Sequence, residues 1–86
     1  MDLVQILGRN VRAARRRKGL SQEQLALEAE MKRSYLSDLE RGTRNPSVRA
    51  VARLAAALAV EPWTLLQEPG PNGNSQALVS DTEQEP

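Results

Sequence analysis

A chain of 86 residues with twelve Lys and Arg against eleven Asp and Glu has room for one small domain with a thin core, so self-association is an expected source of stability. Without Cys or His it can build neither a disulfide scaffold nor a zinc finger, and most general-base chemistry is excluded, so no metal, no cofactor and no enzymatic activity are expected. The net charge of +1 conceals a division: residues 1–68 hold all twelve bases and eight acids, a balance of +4, whereas residues 69–86 hold three acids and no base.

Residues 3–18 read as a first helix, with Leu3, Leu7, Val11 and Ala14 on one stripe and Arg9, Arg12, Arg16 and Arg17 largely away from it. Gly19 stops it. The run RRRK at 15–18 could be a localisation signal or polyanion patch, but cations at a helix C-terminus are also favoured by the helix dipole, by about 0.3–1 kcal/mol each. Met1–Leu7 is too short for a signal-peptide apolar region, and no stretch approaches the roughly 18 apolar residues of a membrane span. A cytoplasmic protein with no membrane partner is therefore expected.

From Ser21 to Gly42 two short helices are joined by a tight turn, because apolar residues recur at helical spacing before the break (Leu25, Ala26, Ala29) and after it (Leu36, Leu39). Ser21 and Gln24 have the spacing of a capping box. Gln22, in the first turn, combines a side-chain donor with free backbone N–H groups. Lys32, at the start of the third helix, offers no acceptor and is a poor cap. On that helix Arg33, Ser34, Ser37, Asp38 and Arg41 fall within an arc of roughly 140°, with Leu36 and Leu39 opposite. A solvated surface would account for such a face, but the helix, tight turn, helix arrangement and the bases clustered around it point to a ligand-binding one. Gly42 suits the left-handed residue after a helix end.

The loop TRNPS then leads to Ser47 as the cap of a fourth helix, whose core stripe is expected to be Val48, Val51, Leu54, Ala55 and Leu58. Pro62 can open a short fifth helix, with Leu65 and Leu66 closing the core. Trp63 is either a lid on that core or, with Leu66, a subunit contact. From Pro69 onward Pro, Gly, Asn, Ser and Gln predominate, which predicts a disordered acidic tail over 69–86. Its short Ala77, Leu78, Val79 patch could add a turn or strand to a partner.

The segment GLSQEQLALEAEMKRSYLSDLERGTRNPSV resembles the helix-turn-helix of lambda-repressor-like, Xre-type DNA-binding domains, over about Leu7–Leu66. Its YLSDLERGTRNPS portion is similar to small standalone regulators, including the controller proteins of restriction–modification systems. The resemblance implies an all-α, compact five-helix domain over residues 1–68. It also implies a structural ion pair between Arg15 and Glu40, a phosphate seat at Gln22, and phosphate or minor-groove contacts from Tyr35, Arg44 and Asn45. Arg44 and Asn45 could instead only shape the loop before Ser47. Arg41, at the end of the same face, joins the expected backbone contacts. The family usually places Gly where this chain has Glu30, since the turn requires a positive φ.

A helix-turn-helix sets its second helix in the major groove with N-terminal residues at base edges, here Lys32, Arg33 and Ser34, then Ser37 and Asp38. Arg33 can fork onto guanine O6 and N7 and is the expected specificity residue. Asp38 could accept from cytosine N4, or repel phosphate, or orient Arg33 or Arg41. Few base-reading side chains per domain imply a homodimer on a near-palindromic site in double-stranded DNA. The expected function is sequence-specific transcriptional regulation. The alternative is a protein-interaction module, such as an antitoxin whose acidic tail engages a protein partner.

Overall fold

The computed structural model describes residues 2–68; the sequence-predicted tail, 69–86, lies outside the described residues. Four α-helices, α1 (Leu3–Arg17), α2 (Gln22–Glu28), α3 (Arg33–Glu40) and α4 (Val48–Leu58), are followed by a 3₁₀ helix at Pro62–Leu66. The all-α expectation holds, with the fifth element a 3₁₀ helix: five residues close little more than one turn, and Pro62 occupies the position where its missing N–H costs nothing.

Three of the four α-helices, α1, α2 and α4, start at a side-chain cap. Asp2 Oδ1 accepts from Gln5 N at 2.9 Å. Ser21 Oγ accepts from Gln24 N at 3.0 Å while Gln24 Oε1 accepts from Ser21 N at 2.8 Å, completing the capping box. Ser47 Oγ accepts from Ala50 N at 3.1 Å. The ends of α1 and α3 wrap through Gly19 (φ 75°) and Gly42 (φ 79°), which bring Leu20 N onto Arg15 O and Thr43 N onto Asp38 O.

The α2–α3 turn takes its positive φ without a glycine: Glu30 sits at φ 59°, and Met31 N beyond it bonds Ala26 O at 2.9 Å. A second left-handed residue, Ala59 at φ 58°, ends α4, and nothing in its sequence signals it.

The core joins Leu7, Val11, Leu25, Leu36, Leu39, Leu54, Leu58 and Leu65, with small residues such as Ala26, Ala29 and Ala55 letting the helices approach. Three expected core residues are corrected. Val48 is 85% exposed, because the buried arc of α4 runs through Ala50, Leu54 and Leu58 and Val48, on the first turn, stands roughly 120° from its centre. Leu3 is 53% exposed for a similar reason: it lies at the first position of α1, and Ile6 rather than Leu3 completes the buried stripe. Leu66 is 39% exposed; the tight 3₁₀ turn buries only its neighbour Leu65.

Two long-range devices set the helix arrangement. Gly8 lies where α1 crosses the end of α3, so close that an added Cβ would stand 2.9 Å from Glu40 O. Asn10 Nδ2 donates to Leu65 O at 2.8 Å and Gln67 O at 2.7 Å, satisfying carbonyls at the end of the closing helix from α1. Among the described residues no helix is long and apolar enough to cross a membrane.

Candidate nucleic-acid interface

The outward face of α3 divides into two halves. At its start Lys32, Arg33 and Ser34 are exposed, and Lys32 makes no side-chain cap. The first N–H groups of the helix are thus left to solvent or a ligand, beside two cationic side chains. No side-chain hydrogen bond or ion pair involves these three residues among the described residues. Leu36 and Leu39, fully buried on the opposite face, fix the helix's rotation.

The later half is a bonded cluster. Arg41 Nη1 donates to Ser37 Oγ at 2.9 Å, and Arg41 Nη2 pairs with Asp38 Oδ1. Arg44 Nη2 lies 3.6 Å from Asp38 Oδ2, and its guanidinium stands 4.7 Å from the centroid of the Tyr35 ring. Asp38 thereby gathers two arginines, one from α3's end and one from the following loop, and Tyr35 supports the second by a cation–π contact. A guanidinium has five donors, so each arginine retains some to direct outward. Of the three roles open to Asp38 in sequence, orienting Arg41 is the one its contacts display. Thr43 Oγ1 closes the loop onto Asp38 O at 3.1 Å, and Asn45 is exposed beyond it.

Beneath this face lies the ion pair expected from the family resemblance. Arg15 Nε donates to Glu40 Oε2 at 2.8 Å and Nη2 to Oε1 at 3.1 Å, with Nη1 on Leu20 O at 2.8 Å. The side chains are 12% and 3% exposed. Gln22 Nε2 also donates to Glu40 Oε1 at 3.0 Å, a bond that spacing along the chain gave no sign of. One carboxylate therefore ties α1, the first turn of α2 and the end of α3 together, and the Gln22 side chain reaches inward to it.

Arg33, Ser34, Ser37, Asp38, Arg41 and Arg44 are thus borne by one helix and its following loop, with Gln22 behind them. Trp63 and Leu66 lie on the closing helix, which packs against α1 and α4. Trp63 is 60% exposed and does not act as a lid. Leu66 and Val48 join Leu3 and Val4 around an apolar groove of about 260 Å³. Sequence reasoning missed Arg53, whose Nε donates to Ala29 O at 3.1 Å and so ties α4 to the end of α2.

A model of the helix-turn-helix family HTH_3 matches residues 11–62. Control protein C.BamHI of Bacillus amyloliquefaciens is 45% identical over 62 residues, covering 71% of this chain and 76% of that protein. The crystal structure of the restriction–modification controller protein C.AhdI from Aeromonas hydrophila superposes with a TM-score of 0.70 at 44% identity, over 72% of this chain and 94% of that one. The biofilm master regulator SinR, solved in complex with DNA, matches with a TM-score of 0.69 at 37% identity, over 71% and 98% of the two chains.

Proposed function

This chain belongs to the helix-turn-helix family, it is a DNA-binding transcriptional regulator, and from that premise we propose how it reads its site. The single observation that carries the reading is the two-part face of α3: cationic and hydroxyl side chains with no side-chain partner among the described residues at its start, and an Asp38-centred arginine cluster at its end. The first half reads base edges in the major groove, with Arg33 forking onto a guanine and Lys32 and Ser34 beside it. The second half holds the backbone: Arg41 and Arg44 contact phosphates, Asn45 follows along the strand or into the adjacent minor groove, and Tyr35 braces Arg44. Gln22, held by Glu40, adds a phosphate contact with its remaining amide hydrogen at the start of α2.

Two copies read a near-palindromic operator whose half-sites lie about one helical turn, ~34 Å, apart. The exposed Trp63 and Leu66 on the closing helix form the subunit contact, which supplies apolar burial that a domain of this size lacks alone. The likeness to two controller proteins of restriction–modification systems supports a regulator acting in the cytoplasm on DNA upstream of its own gene. Its role is binding, with no reaction assigned.

The test is titration of the purified full chain onto its own upstream DNA and onto unrelated DNA across a salt series, with Arg33→Ala alongside. Preference for the upstream DNA should be present and lost in Arg33→Ala, because a bidentate guanine contact discriminates by about 1–3 kcal/mol. Equal binding of the two DNAs by the unaltered protein, or none, would overturn the reading.

A further inference from the structure

Two adjoining clefts run between α1 and α3 beside the reading face. One, of about 460 Å³, is lined by Gln5, Arg9, Arg12, Glu40 and Arg41. The other, of about 280 Å³, is lined by Arg12, Arg15, Gln22, Ser37, Glu40 and Arg41. Arg12, Glu40 and Arg41 are common to both. Ser37 and Arg41 belong to the outward face of α3, so the clefts continue that face onto α1 rather than opening on another side of the molecule.

The charges in these clefts do not cancel. Among the described residues Glu40 is the one acid lining either, and its two oxygens already accept from Arg15 and Gln22. Arg41 is paired with Asp38. Arg9 and Arg12 are exposed and form no ion pair among the described residues. They stand three residues apart on α1, which places them as neighbours on one side of the helix. The bases of the last turn, Arg16 and Arg17, can be attributed to the helix dipole, but Arg9 and Arg12 sit mid-helix, where the dipole gives them no such support.

We propose that Arg12, with Arg9 beside it, seats a phosphate of the DNA backbone in the cleft between α1 and α3, extending the protein's footprint from the reading helix onto the first helix. The inference rests on the DNA-binding reading above. A phosphodiester offers one negative charge and two unesterified oxygens, which match the planar fork of a guanidinium, and Arg41 on the opposite wall keeps that phosphate in register with α3. The contact carries no base information. It adds affinity and salt dependence equally on every sequence.

The experiment uses the full chain with Arg12→Gln and Arg9→Gln, and with Arg17→Gln as an exposed cation on α1 outside both clefts. Binding to upstream and unrelated duplexes is measured over a salt series, and thermal melting of each variant checks folding. For Arg12→Gln the slope of log affinity against log salt should shrink by about 1, with both duplexes weakened by the same factor and their ratio unchanged. Arg9→Gln should shrink it by less, and Arg17→Gln should leave it unaltered. An unchanged slope in Arg12→Gln, or an equal loss in Arg17→Gln, overturns the inference while leaving the regulator reading intact. Absence of DNA binding by the unaltered protein instead overturns the regulator reading, and this inference with it.

Discussion

Arg15 and Glu40, 25 positions apart, form a two-pronged ion pair beneath the reading helix, with Nε and Nη2 of the one on the two carboxylate oxygens of the other. Because Glu40 is 3% exposed and also holds Gln22, removing its charge strands a largely buried guanidinium and frees the start of α2. Glu40→Ala should cost about 3–5 kcal/mol by chemical denaturation, and Arg15→Met combined with Glu40→Met should recover most of it, since no charge is then left unpaired. A Glu40→Ala loss below about 1 kcal/mol would show that the pair does not brace the domain.

Glu30 turns through φ 59° between α2 and α3, a conformation that a side chain disfavours by about 1–2 kcal/mol. Glu30→Gly removes that penalty but adds chain entropy to the unfolded state, so a net gain of about 0.5–1 kcal/mol is expected, read as a rise in the melting temperature. DNA affinity should stay within a few-fold. A lower melting temperature would mean that the Glu30 side chain contributes more than its backbone strain removes.

Gly8 makes the closest approach of α1 to α3 possible. Gly8→Ala places a methyl group 2.9 Å from Glu40 O and against rigid helix backbone, so the helices must part. The expected loss is about 1–3 kcal/mol in denaturant midpoint experiments, even though alanine is the better helix former. Unchanged stability would show that the crossing relaxes freely.

Asp38 neutralises part of the charge of Arg41 and Arg44 on the DNA-facing side. With the pairs partly exposed, each worth about 0–1 kcal/mol, Asp38→Ala should leave stability nearly unchanged. It should tighten binding to unrelated DNA by a few-fold and steepen its salt dependence, so that the preference for the operator falls. If operator binding alone weakens, Asp38 reads a base directly.

Much of the site was legible in local spacing. The capping box at Ser21, the uncapped start at Lys32 and the polar arc of α3 are properties of residues within a turn or two of one another, where helical geometry settles which side chains share a face. The Arg15–Glu40 pair was legible only through family resemblance, since nothing in its spacing connects residues 25 positions apart. The bond of Gln22 to Glu40, the capture of the loop residue Arg44 by Asp38, and the Arg9–Arg12 wall opposite Arg41 were not legible, because each depends on how separate segments come together.

Helix existence, capping and the identity of the reading face follow from sequence because backbone hydrogen bonding and 3.6-residue periodicity act over a few neighbours. The chain's ends of helices were less determined: Leu3, Val48 and Leu66 have the right periodicity for the core, yet stand exposed because burial depends on what lies opposite, not on the repeat. Only the tertiary structure decided that Gly8 is a helix crossing, that Asn10 holds the closing 3₁₀ helix, and that one buried carboxylate couples three helices. Those outcomes are contacts over long separations, settled by packing geometry that no local pattern encodes.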